Sequence, residues 1–223
     1  MSRDATRPRR ADGRVRGPMG DALGAPGAVL VIVSGPSGVG KDSVIEALRK
    51  DPRVPDFAYV VTCTTRPRRP YEEDGVHYRF LSPKEFGRLR EAGELLEANE
   101  VHGNWYGTPR TAVRDALMGG HDVILKIDVQ GAAVVKQRVD DALLIFLVPP
   151  SLEDLFQRLQ SRATESADEL DTRQRNAALE LARQDDYDHV VVNETGQIGR
   201  TAARIQEIVA AEKAAHPDRR TRI

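Results

Sequence analysis

The stretch that most restricts this chain is AVLVIVSGPSGVGKDS, residues 28–43. Its first half is a continuous apolar run rich in Val and Ile, which reads as a strand buried on both faces, as in a parallel sheet. Its second half opens into KDSVIEALRK, where Val44, Ile45 and Leu48 fall on one helical face. Between them, Gly35, Gly38 and Gly40 let the backbone curl so that N–H groups point inward. The helix behind adds its positive end, and Lys41 supplies a charge that reaches outer phosphates. Gly35, Pro36, Ser37, Gly38, Val39, Gly40, Lys41, Asp42 and Ser43 are therefore expected to cradle the phosphates of a nucleoside triphosphate. A coincidental glycine-rich turn would need neither the lysine nor the flanking strand and helix.

One position departs from the pattern. Asp42 stands where a Ser or Thr hydroxyl usually helps hold Mg²⁺. Ser43 keeps a hydroxyl at the helix start and suits a hydrogen bond to an inner phosphate. Asp42 fits the helix dipole, or a water on the metal, or repels phosphate if turned inward. The sequence leaves these three open, and with them the choice of Asp42 or Ser43 as the metal's protein ligand.

Four more apolar runs, at 58–64, 122–128, 142–148 and 189–193, read as strands. Helical patterns separate most of them. Ser82, Pro83 and Glu85 spell a capped helix start, and Ser151 with Asp154 spells another. Strands alternating with helices predict an α/β fold, a P-loop parallel five-stranded sheet flanked by helices. Residues 62–108 break the rhythm, being polar, aromatic and turn-rich, and read as an inserted mixed α/β lobe. The charged stretch RATESADELDTRQR, 162–175, reads as a mobile segment between two helices. The expected division is core at 28–61, 109–157 and 176–213, lobe at 62–108 and lid at 158–175. Basic, solvated tails are expected at 1–27 and 214–223.

The 223 residues, 40% hydrophobic, suffice for one domain with a sizeable core. A net charge of −1 gives no global reason to expect a nucleic-acid partner. Cys63 is the only cysteine, which excludes an intrachain disulfide and favours a reducing compartment, so a cytoplasmic location is expected. No apolar run reaches membrane-spanning length, and no membrane partner is expected. The N-terminal stretch has basic residues without an apolar core, a poor secretory signal. Its arginines would suit organelle targeting, its Gly and Pro oppose an amphipathic helix, and Met19 offers an alternative start. Cys63 itself reads as a small buried hydrophobe and Trp105 as lobe packing. His77 and His102 share no ligand spacing with a Cys or an acid, so zinc is not expected.

GPSGVGK, TCTTRPRRPYEEDGVHYRF, LLEANEVHGNWYGTPR, ILKIDVQGA, FLVPPSLEDLFQRL and DHVVVNE occur in one order between about 28 and 213. Together they resemble guanylate kinase, the family that moves the γ-phosphoryl of ATP onto GMP. The phosphate loop alone is shared by many ATPases; the arginine-rich element with GNWYGT is far more restrictive. The resemblance implies ATP and GMP as partners, Mg²⁺ with the ATP, and a core, a GMP-binding lobe and a lid.

Arg66 and Arg69, three apart in a polar turn, can clamp a phosphate with two guanidinium forks. By resemblance that phosphate belongs to GMP, with Tyr78 and Tyr106 donating hydroxyl hydrogen bonds to it. A carboxylate can accept both the N1–H and N2–H₂ of guanine, a donor pair on no other common base. The resemblance assigns that part to Glu97, with Thr62, Thr108 and Asp128 around the base; family members often carry serine at the two threonine positions. Asp128, at the end of an apolar run, also suits a helix N-cap. Lys126 occupies a place where the family commonly has a carboxylate and is expected to be peripheral. The lid arginines correspond to Arg158, Arg162 and Arg173, with Arg175 a further basic candidate, and Ala163 replaces the usual lid glycine. Asn193 corresponds to a position near adenine. The implied reaction is direct in-line transfer with no strong general base. Two other readings stand beside it. GKDS is reminiscent of a ribose 1,5-bisphosphate phosphokinase, which resembles the lobe motifs poorly. A non-catalytic guanylate-kinase-like binding module would typically have lost the loop that Lys41 and its glycines retain.

Overall fold

The apolar runs assemble into one parallel sheet in a computed structural model that describes residues 22–52, 57–101, 103–160 and 167–223, with side chains left out for 167–171 and 173. The strands are β1 (Leu30–Ser34), β2 (Ala58–Tyr59), β7 (Val123–Lys126), β8 (Leu143–Val148) and β9 (His189–Val192), in spatial order β2-β7-β1-β8-β9. Every neighbouring pair is parallel. All five residues of β1 are buried. Val31 and Val33 face a layer with Val44, Leu48, Leu155 and Ile205, while Leu30 and Ile32 face one with Val113, Leu117, Ala132 and Val135. Helices therefore cover both faces, as a central strand whose first four residues are all apolar and buried requires. On the first face lie α1 (Lys41–Lys50), α5 (Leu152–Gln160) and α7 (Ile198–Ala215), and on the second α3 (Arg110–Met118) and α4 (Val129–Arg138).

The interval that breaks the rhythm builds a second sheet of β3 (Cys63–Thr64), β4 (Arg79–Phe80), β5 (Leu95–Val101) and β6 (Asn104–Pro109), in order β4-β3-β6-β5. Its pairings are antiparallel except β3–β4. Helix α2 (Pro83–Glu91) packs Phe86 beneath it against Cys63, Leu95 and Trp105. The helix begins with the capping box anticipated from Ser82 and Glu85. Ser151 likewise caps α5, accepting from the Asp154 N–H at 3.0 Å.

Three expectations need correction. The apolar run at 58–64 is two strands in two sheets. β2 is an edge strand bonded only to β7, and the chain leaves that edge to pair Cys63 and Thr64 with Gly107 and Tyr106. The charged stretch to 175 is not irregular throughout, because α6 (Ala167–Leu181) already includes 167–175. That sequence is rich in Ala, Glu, Leu, Gln and Arg, strong helix formers, yet lacks an apolar stripe to announce them. The C-terminal residues are not a solvated tail. Thr221 and Ile223 are buried. Backbone bonds join Ala22 to Ile223 in both directions (2.9 and 3.0 Å), and Gly24 and Gly27 donate to Thr221 and Arg219 (2.8 and 2.9 Å). Residues 22–27 are held by the same pairing.

Candidate functional site

The phosphate loop leaves β1 at its carboxyl end, where open parallel sheets hold ligands. Its shape depends on glycine at two points. A Cβ on Gly35 (φ 143°) would sit 2.4 Å from the Leu147 carbonyl oxygen, and one on Gly40 (φ 100°) 2.6 Å from Asn193 Nδ2. Gly40 also starts α1 without any side-chain cap, which leaves the helix N–H groups available to an anion. Lys41 folds over the loop and donates from Nζ to the carbonyls of Gly35 (2.6 Å) and Pro36 (3.1 Å). Burial lowers its pKa below the ordinary lysine value, partly offset by the carboxylates of Glu180, Asp42 and Asp128. Glu180, on α6, accepts from the Ser37 N–H at 2.9 Å.

The outer side of the loop is clamped from β9. Buried Asn193 donates to the Val39 carbonyl at 2.8 Å and accepts from Thr201 at 3.0 Å. Arg158 reaches the same point, donating to Val39 O at 3.1 Å, Asn193 O at 3.0 Å and Thr195 Oγ1 at 2.8 Å. The structure thus brings Arg158 together with Asn193 on the loop's outer side. Arg162 lies outside the described residues, as does the side chain of Arg173. Arg175 is exposed on α6.

On the lobe, Glu97 of β5 and Thr108 of β6 face each other across the antiparallel pair. Glu97 is 1% exposed, accepts from Thr108 Oγ1 and Asn99 Nδ2 at 2.7 Å each, and is pushed up to about 7 by burial. The Asp128 charge pushes in the same direction, against the two hydrogen bonds. Asp128 caps α4, accepting from Gln130 N (2.7 Å) and Gly131 N (3.0 Å). A Cβ on Gly131 would lie 3.1 Å from Glu97 Oε2, so the head of α4 abuts the Glu97 carboxylate. Thr62 is buried at the entry to the lobe.

The arginine turn is organised by Glu72, a buried carboxylate that the sequence reading missed. Arg66 donates to Glu72 Oε1 at 2.7 Å, and the Arg69 amide donates to Glu72 Oε2 at 2.8 Å. The Arg66 guanidinium lies 5.5 Å from the centroid of Tyr78, whose ring meets Tyr106 edge-on at 6.0 Å. Arg66, Tyr78 and Tyr106 are thus brought together. Arg69 lies at the edge of this cluster, its half-exposed guanidinium 4.0 Å from the same Glu72 Oε1 and 3.3 Å from the Tyr71 hydroxyl. Asn99 was also missed, although two residues from Glu97 on a strand is a same-face spacing. Glu180 carried no local signal, lying 143 positions from Ser37.

Between loop and lobe lies a pair that the sequence treats as unrelated. Lys126 Nζ donates to Asp42 Oδ1 and sits 4.5 Å from the centroid of the Tyr78 ring. Lys126 is therefore not peripheral: it contacts both the loop's helix and the lobe.

The family model described as guanylate kinase matches residues 28–212. A guanylate kinase of Desulfitobacterium hafniense (strain Y51) is 44% identical over 185 residues, 83% of this chain and 90% of the relative. One from Chelativorans sp. (strain BNC1) is 41% identical over 192 residues, 86% of each. The crystal structure of guanylate kinase from Anaplasma phagocytophilum superposes with a TM-score of 0.67 at 34% identity, covering 83% of this chain and 86% of that one.

Proposed function

Because the chain belongs to the guanylate kinase family, we propose that its loop and lobe hold ATP and GMP for transfer of the γ-phosphoryl, giving ADP and GDP. The observation that carries the assignment of the acceptor side is the buried Glu97 carboxylate, held by Thr108 and Asn99 in a lobe separate from the phosphate loop. A buried carboxylate is costly unless a ligand or partner uses it. A guanine edge, with adjacent N–H groups, would repay that cost in kind. A sugar bisphosphate offers no such edge, and a binding module has no need of the loop that Lys41 closes.

Each residue then has a part. Arg66 and Arg69 clamp the GMP phosphate, with Tyr78 and Tyr106 adding hydroxyl donors, and Glu72 holds the arginine turn in shape. Glu97, Thr62, Thr108 and Asp128 surround the base. Lys41, released from the Gly35 and Pro36 carbonyls, follows the γ-phosphoryl. Asn193 and Arg158 hold the loop's outer side toward adenine, while Arg162 and Arg173 act over the transferring group as a lid spanning 158–175. Catalysis here is alignment, charge neutralisation and exclusion of water. ATP kinases generally require a divalent metal, which we take to be Mg²⁺. The all-oxygen donor set at the head of α1 suits a hard cation: the Ser43 hydroxyl, and Asp42 through water, would hold it beside the phosphates. Bound there it supplies neutralisation of charge on the ATP oxygens.

A coupled ADP-release assay across GMP, AMP, CMP, UMP and ribose 1,5-bisphosphate tests the assignment. GMP is expected to be turned over at least about 100-fold better than any other acceptor, as hydrogen-bonding sites discriminate strongly. Lys41→Ala is expected to lower kcat about 1,000-fold. Turnover of the sugar bisphosphate alone, or a preference for AMP, would refute it.

A further inference from the structure

Asp42 stands where a hydroxyl residue is expected, and Lys126 where a carboxylate is. They are 84 positions apart, and the fold makes them a single feature. The β1–β7 register sets Lys126 beside Val33, so its stem leaves the sheet at the same edge as the phosphate loop. Asp42 arrives from the first turn of α1. Nζ rests on that carboxylate and on the Tyr78 ring, in the lobe where Arg66 and Tyr106 converge. The Lys126 side chain is only 16% exposed. Lys41, the neighbour of Asp42 in sequence, folds over the same loop, and Lys126 reaches that loop's helix from the other side through Asp42. Burial works against the Lys126 charge, and Tyr78 and Asp42 more than offset it. A phosphate arriving at the same place would satisfy the ammonium in the way that Asp42 does.

We propose that Lys126 contacts substrate, bridging the phosphate of GMP and the incoming γ-phosphoryl of ATP, with Asp42 holding it in place while the site is empty. The inference rests on the ATP:GMP reading above. In the transfer, the bond from the γ-phosphorus to the β–γ bridging oxygen breaks, and one forms to an oxygen of the GMP phosphate. Lys126 forms no covalent bond and keeps its proton. Its work is to screen the repulsion between two anions that must approach within bonding distance. Asp42 gives up the ammonium to the phosphates as they bind.

The test compares binding of GMP and of guanosine to the full chain by calorimetry without ATP, together with steady-state rates. Lys126→Gln is expected to weaken GMP about tenfold, leave guanosine unchanged and lower kcat about 100-fold, a loss of the size seen when a preorganised charge is removed. Lys126→Arg is expected to recover most of the GMP affinity. Lys126→Asp, which sets two carboxylates against each other, is expected to be worse than Lys126→Gln, and adding Asp42→Ser to it should restore kcat at least about tenfold. Unchanged GMP affinity and kcat in Lys126→Gln would overturn the proposal. Equal losses for GMP and guanosine would overturn it too, because they signal a misshapen pocket and not a phosphate contact. Wild-type protein that turns over no GMP would instead remove the functional reading, a failure visible before any substitution is made.

Discussion

Glu97 illustrates at a single residue how function and stability oppose each other. Its ordinary pKa is 4.5, and burial raises it to about 7. The folded protein therefore holds a proton there that the unfolded chain releases. Between those two values folding becomes less favourable as pH rises, by about 3 kcal/mol in all, and above about 7 the full cost of the buried charge is present. Glu97→Gln removes that cost while Thr108 can still donate to the amide oxygen. Its Tm is expected to exceed that of the wild type at pH 8 and to approach it at pH 5, measured by thermal scans across that range. The same change is expected to raise KM for GMP at least about 30-fold with KM for ATP untouched, since buried guanine donors would lose their acceptor. In the wild type, KM for GMP should fall between pH 6 and 8 as the carboxylate ionises. A KM for GMP equal in both proteins would disprove base recognition by Glu97.

At the scale of elements, α6 is tied to the phosphate loop through Glu180 and the Ser37 amide. A charge-assisted hydrogen bond of this kind contributes about 1.5–3 kcal/mol. Glu180→Ala is expected to speed hydrogen exchange in a peptide covering 35–43 at least about tenfold, with the β8 strand unaffected. Exchange unchanged in that peptide would mean that the helix does not brace the loop. Elements like β1, the loop and α1 are legible in the chain because their signals are local: an apolar run, then glycines at fixed offsets, then a 3.6-residue period. The capping box at Ser82 and the side-chain cap at Ser151 are legible for the same reason. The division of 58–64 between two sheets is not, because it depends on where the edge of one sheet ends and which strand of the other waits beyond it. Nor is the start of α6, where helix propensity works without an apolar stripe. At the site, Glu97 and Thr108 could be read from their motifs, while Glu72 and Glu180 act through partners that only the fold supplies. The pairing of Asp42 with Lys126 is the clearest such case, since each looks like a defect until the other is seen beside it.

Across the whole molecule, the two ends of the described chain close on one another far from the chemistry. Thr221 Oγ1 donates to Ala28 O at 3.2 Å, Arg219 pairs with Glu212 at 2.7 Å, and Ile223 joins the cluster around Leu30 and Ile32. Ala28 precedes β1, whereas the phosphate loop follows it, so the clasp and the site lie at opposite ends of the strand, roughly 16 Å apart. Removing 218–223 takes away one buried Ile, one buried hydroxyl bond and several backbone bonds, worth about 3 kcal/mol together. For a domain of this size that corresponds to a Tm lower by about 6–12 °C. Because none of the clasp's hydrogen bonds among the described residues reaches the loop or the lobe, kcat and both KM values at 25 °C are expected to stay within about twofold of the intact chain, within the scatter of remote substitutions. Calorimetry and steady-state rates on the truncated protein measure the two separately. An unaltered Tm would mean that the terminal pairing carries no net energy. A loss of activity at unaltered Tm would mean that strain at the amino end of β1 is transmitted along the strand to the loop, and the sheet could then no longer be treated as a rigid platform for the site.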